Sequence, residues 1–109
     1  MSNGVWYKVG PIYLNEYPIN AGQHLSIPVI SAPIEGNENN PSRVVDVLWE
    51  AKKIDGSEII PVSLVLKKVF KDSQQDIHEK MKVHFYNNSD YEGKITVHFI
   101  FEWFLPYQQ

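Results

Sequence analysis

From Lys94 to Phe104 the chain follows a two-residue period: Ile95, Val97, Phe99, Phe101 and Trp103 alternate with Lys94, Thr96, His98, Ile100, Glu102 and Phe104. An extended chain sends successive side chains to opposite faces, so a two-residue period sorts these positions into one wholly apolar face and one mixed face. A helix would smear the same residues around its circumference. The segment is therefore a long strand, and its apolar face requires a cover. Just upstream, Met81, Val83 and Phe85 alternate with Lys82, His84 and Tyr86 in the same way. The turn formers Asn87-Asn88-Ser89-Asp90-Tyr91-Glu92-Gly93 separate the two runs, a pattern that predicts an antiparallel hairpin.

A second hairpin is predicted around Asp55-Gly56, with Val45, Val47, Trp49 and Ala51 on one face of the incoming strand and Ser57 to Val62 leading out. Three weaker strands are expected at Val5 to Val9, Ile12 to Leu14 and His24 to Ile30. Pro28 and Pro61 lack the amide proton a ladder needs, which places them at edges or bends. Val62 to Phe70 reads as a strand, followed by a short helical turn across 73–79. Leu66, Phe70, Ile77 and Met81 also fall near helical spacing, so an α+β alternative with one helix near 63–79 stands beside it. Two short echoes recur, Ile27-Pro28-Val29 with Ile60-Pro61-Val62 and Val83-His84-Phe85 with Val97-His98-Phe99. The second pair reads as neighbouring strands meeting the same packing demand. In a chain of 109 residues, these elements make a single all-β domain over 1–109: an antiparallel, jelly-roll-like β-sandwich of about six to eight strands.

Several function classes lack their residues. With no cysteine there is no disulfide, no thiolate nucleophile and no Cys-ligated metal. No serine sits in a Gly-x-Ser-x-Gly elbow, and the glycines are too far apart for a phosphate loop or dinucleotide fingerprint. His78-Glu79 begins like a zincin motif, but the next histidine, His84, stands outside the spacing that two ligands on one helical face require. The expectation is a protein without catalytic activity. A net charge of -3 opposes a nucleic-acid partner, since phosphate binding needs a basic face. The uncharged stretch from Tyr17 to Ile34 holds three prolines and several polar side chains, too many breakers for a membrane span. The first residues do not read as a signal peptide, so a soluble, cytoplasmic protein is the default, with non-classical export or a virus particle as other settings.

The candidate ligand-binding residues lie in two loops. Asn37, Glu38, Asn39 and Asn40 fall in the aperiodic stretch Ser31 to Arg43, and Asn87, Asn88, Asp90 and Tyr91 in the loop before the last strand. Long loops inside small domains are commonly functional, and Asn and Asp beside Tyr and Trp suit a sugar. The leading expectation is accordingly a binding domain with a carbohydrate ligand, lectin-like, and no resident cofactor. The alternative is an assembly or inhibitory protein that contacts other proteins, such as a phage or virus particle component. The same oxygen-rich loops are candidate Ca2+ ligands, although Ca2+ takes about six to eight oxygens and Asx-rich turns are common in any sharp loop. His84 and His98, on the polar faces of two strands expected to pair, with His24 or His78 as a third ligand, form a candidate metal site. Lys67, Lys68, Lys71, Lys80 and Lys82 make a basic region within an acidic chain. Finally, the apolar tail Phe104, Leu105 and Tyr107, with Trp6 or Tyr7, is the basis for expecting a homo-oligomer.

Overall fold

The computed structural model describes residues 3–31 and 41–107. Seven strands occur among them, with no helix: β1 (Gly4–Ile19), β2 (His24–Ser26), β3 (Ile30–Ser31), β4 (Ser42–Lys53), β5 (Val62–Phe70), β6 (Lys80–Asn87) and β7 (Gly93–Pro106). They form two sheets, β1-β7-β4 and a second in which β6 is flanked by β2 and β3 on one side and β5 on the other. Every strand ladder is antiparallel, and the two sheets pack together. The all-β sandwich follows directly. Neither the helical turn at 73–79 nor the α+β helix at 63–79 forms: β5 runs through Phe70, and Ser73 to Asp76 is closed as a turn by the Asp76 amide donating to the Ser73 carbonyl.

The hairpin expected between β6 and β7 does not form. The two strands are instead the central strands of opposite sheets, each paired on both sides by other segments. The physical reason lies in their apolar faces. A hairpin would have left both on the same side of one sheet, still in need of cover. In facing sheets they cover each other: Met81, Val83 and Phe85 from β6 and Ile95, Val97, Phe99 and Phe101 from β7 are all buried in one core. The Val-His-Phe echo is thus one solution used in each central strand, not in neighbours.

Isoleucine-proline pairs mark where the chain leaves a ladder. Ile27 donates its amide to the Val83 carbonyl at 3.1 Å, and Ile60 to the Ala51 carbonyl at 2.9 Å; both side chains are buried. Proline follows each and has no proton to continue the pairing. Pro28 accordingly separates β2 from β3, and Pro61 lies where the chain passes from β4's sheet to β5's. The turn at Asp55-Gly56 forms as expected, closed by the Gly56 amide on the Lys53 carbonyl at 2.8 Å. Only Gly56 takes a positive φ (76°), so the turn is not the type I′ that two positive angles would give. Its hairpin is also short, because the outgoing chain turns away at Pro61.

Register shifts in β1 and β4 were hidden in the pattern. The segments Val5 to Val9 and Ile12 to Leu14 are one strand, carried through a bulge at Gly10-Pro11. Gly10 has φ 118°, and a Cβ there would lie 2.8 Å from the Phe99 carbonyl oxygen. In β4 a register shift between Val44 and Asp46 leaves Val45 as the extra residue, so Val44 and Val47 are the buried valines. The start of β1 and the end of β7 are paired as well. Gly4 stands opposite Pro106, and the Phe104 and Trp6 rings meet at 5.4 Å, with the Arg43 guanidinium 4.0 Å from the Trp6 ring. The tail extends its own sheet, which accounts for part of the apolar surface assigned above to self-association.

Phe101, 1% exposed, packs edge-on to Trp103 and stacks on Phe99. Phe101→Ala should cost about 3–5 kcal/mol in urea unfolding; a loss below about 1 kcal/mol would show that the core face has been misassigned. The Asp55 turn gives a second expectation. Hydrogen bonds from the Ser57 hydroxyl and amide hold the Asp55 carboxyl below its ordinary pKa. A lowered acid adds stability that is present above the ordinary aspartate range and is lost as pH falls through the lowered value. An NMR titration should find the Asp55 midpoint below the ordinary aspartate range, and Ser57→Ala should move it back up.

Candidate interaction surface

The loop before β7 was expected to present its asparagines to a ligand. Asn87 is instead fully buried (0% exposed). Its side-chain amide donates to the carbonyls of Tyr91 at 2.8 Å and Asn20 at 3.0 Å, and its side-chain oxygen accepts from the Ser89 amide at 3.0 Å and hydroxyl at 2.7 Å. One buried amide therefore fastens the connection between the two sheets to the end of β1. Asn88 and Asp90 are on the surface, with the Asn88 amide donating to the Pro61 carbonyl at 3.1 Å. Tyr91 is 53% exposed, carries the Lys53 ammonium 3.8 Å from its ring centre, and lines a shallow depression with Ile54, Asp55 and Glu92. Asn37, Glu38, Asn39 and Asn40 lie outside the described residues.

The histidines are also redistributed. His84 and His98 alternate with buried residues of different sheets and so face outward on opposite sides of the sandwich. His98 meets the Tyr13 ring at 5.5 Å, and His78 is held by the Ser42 hydroxyl at 2.6 Å. His24 is the one that joins His84. Its Nδ1 is 3.0 Å from His84 Nε2, and the Ser26 hydroxyl is 3.1 Å from His84 Nδ1. Among the described residues no three His, Asp or Glu side chains are grouped to hold a metal ion, and no helix is long and apolar enough to cross a membrane.

The sheet of β6 exposes a different kind of surface at β5. Among the described residues β5 pairs as a strand with β6 alone, and at its start the Val62 carbonyl also accepts from the Trp49 indole at 2.9 Å. A register shift between Leu64 and Leu66 leaves Val65 unpaired and puts both sides of the strand partly into solvent: Val65 is 56% exposed, Leu66 47% and Val69 41%. Charge surrounds these apolar side chains. Lys68 stands directly opposite Lys82, an arrangement of like charges that costs stability unless an anion relieves it. Lys67 reaches Asp46 of β4 at 3.7 Å, and Lys80 is bonded to Asp72, whose carboxylate raises the lysine's pKa. Beyond the end of β5, Phe70, Lys71, Asp72, Ser73, Gln74 and Glu79 line an open depression of about 470 Å³. Comparison with protein families, curated proteins and solved structures finds no match to this chain. The surface has to be read from its own chemistry.

The basic region was visible in the sequence, but the exposed apolar residues inside it were not, because Val and Leu in a strand read as core. One signal existed. The run Leu64-Val65-Leu66-Lys67-Lys68-Val69 breaks strict alternation, as a bulged edge strand does.

Asn87 and Asn88 give a paired test. Asn87→Ala strands several buried carbonyl and amide groups and should cost about 1–3 kcal/mol, whereas Asn88→Ala, on the surface, should change thermal unfolding little. Equal effects would mean that Asn87 does not hold the connection.

Proposed function

We propose that the protein is a non-catalytic interaction module that takes an extended, acidic-and-apolar segment of a partner protein along β5. The observation that carries this reading is a nine-residue edge strand paired on one side, with Val65, Leu66 and Val69 exposed among Lys67, Lys68 and Lys82. An added strand satisfies the open backbone groups, and its alternate side chains meet the apolar and basic positions in turn. Lysines on an edge also repel a second copy of the same edge. That combination opposes self-pairing there and favours a partner rich in Asp and Glu. It deepens the assembly or inhibitory alternative drawn from the sequence.

The carbohydrate reading keeps one supporting observation, the exposed Tyr91 ring in its shallow depression beside Asp55 and Glu92. A sugar ring stacked on Tyr91 would use Asn88 and Asp90 as rim groups.

The two readings are separable by NMR on the isotope-labelled full chain. A synthetic peptide alternating Val or Ile with Asp or Glu should shift and protect amides of β5, and Lys67→Glu with Lys68→Glu should weaken binding at least tenfold. A peptide carrying Lys in place of the acids should then bind the doubly substituted chain better than the parent. If the acidic peptide leaves β5 unmoved at millimolar concentration while glycans shift Tyr91, the interaction reading is wrong and the sugar reading stands.

A further inference from the structure

Outside the β5 surface, one side-chain cluster has geometry that the fold does not require. His24 on β2 and His84 on β6 project from the outer face of the same sheet and are diagonal neighbours two register positions apart: His24 is opposite Tyr86, and Ser26 is opposite His84. Their facing nitrogens, His24 Nδ1 and His84 Nε2, are 3.0 Å apart. Metal–imidazole bonds of about 2.0–2.1 Å place two ligand nitrogens ~2.9 Å apart at a right angle and ~3.4 Å apart at a tetrahedral angle. The observed separation falls inside that interval, so an ion can be bridged once the rings turn their lone pairs off the line between the two nitrogens.

The surroundings favour the same use. The Ser26 hydroxyl lies 3.1 Å from His84 Nδ1, the nitrogen turned away from His24. When Nδ1 carries the proton and donates to that hydroxyl, Nε2 is left unprotonated on the side of His24, the arrangement by which a second partner fixes a metal-ligating imidazole. The His24 ring also lies against the Tyr86 ring, with centroids 4.5 Å apart and planes inclined by 33°, which limits its rotation. Without a metal, an N–H of one ring faces the lone pair of the other across this contact. A cation held by both nitrogens needs both unprotonated, so the proton between them moves to the far nitrogen of the His24 ring, Nε2, or leaves to solvent.

The geometry points to a divalent transition-metal site formed by His24 and His84, with Ser26 orienting His84 and water completing the coordination. Imidazole pairs suit Zn2+, Cu2+ and Ni2+ rather than Ca2+ or Mg2+, which take oxygen ligands. The site differs from the His84–His98 pairing expected from sequence, because those two side chains face opposite sides of the molecule.

The test uses Zn2+ added to the full chain in a non-chelating buffer, followed by calorimetry and by the ring-proton resonances of the four histidines. One equivalent should bind, with the His24 and His84 resonances shifting while His98 and His78 stay in place. His24→Gln and His84→Gln should each weaken Zn2+ binding at least tenfold, and Ser26→Ala should weaken it less than either. His98→Gln should leave it unchanged. The folded state of each variant is checked by its backbone amide spectrum. Zn2+ failing to bind at millimolar concentration would overturn the assignment, as would binding that persists undiminished in folded His24→Gln and His84→Gln.

Discussion

Everything in this fold depends on how two consecutive strands, each with one fully apolar face, get those faces out of water. Met81, Val83 and Phe85 on one strand and Ile95, Val97, Phe99 and Phe101 on the next cannot be satisfied by pairing with each other. Pairing would satisfy backbone groups and leave the apolar surface bare. Burial of apolar area is worth about 25 cal/mol per Å2 and dominates that choice. The chain therefore crosses from one sheet to the other between Asn87 and Gly93, and the backbone partners are recruited from elsewhere: β1 and β4 for one strand, β2, β3 and β5 for the other. Asn87 makes the crossing affordable in polar terms, because its single side chain satisfies groups on both the crossing loop and the end of β1.

Strand identity was legible because a two-residue period is written into the side chains. Pairing was not. Turn formers between two strands announce a reversal of direction, but a reversal within one sheet and a crossover between two sheets use the same residues. Asn87 shows the difficulty at the level of one side chain: asparagine in a turn is equally an exposed ligand group or a buried structural amide, and only its surroundings decide. The bulge in β4 was invisible for a related reason. Val44 and Val45 are chemically equivalent, so no pattern reveals that the register slips between Val44 and Asp46 and buries the first of them.

The candidate surfaces were legible in part. The lysines of β5 and β6 stood out as a basic region, whereas the exposure of Val65, Leu66 and Val69 depends on β5 being an edge strand, a property of topology. The histidine pair is of the same kind. His24 and His84 are sixty residues apart in sequence, and their approach requires β2 to lie beside β6. Both candidate surfaces belong to one sheet, the β5 edge on one side of β6 and the His24–His84 pair on the other, while the sheet of β1, β7 and β4 supplies the core's second wall.

The placement of β6 and β7 in separate sheets is tested most directly by backbone proton distances. Nuclear Overhauser effects should connect β7 with β4 and β1, for example Trp49 with Val97 and Tyr17 with Ile95, and β6 with β5, for example Ser63 with Tyr86. Cross-strand Hα–Hα contacts between β6 and β7, such as Phe85 with Ile95, should be absent. Their presence would restore the simple hairpin and contradict the packing argument on which the rest of the account stands.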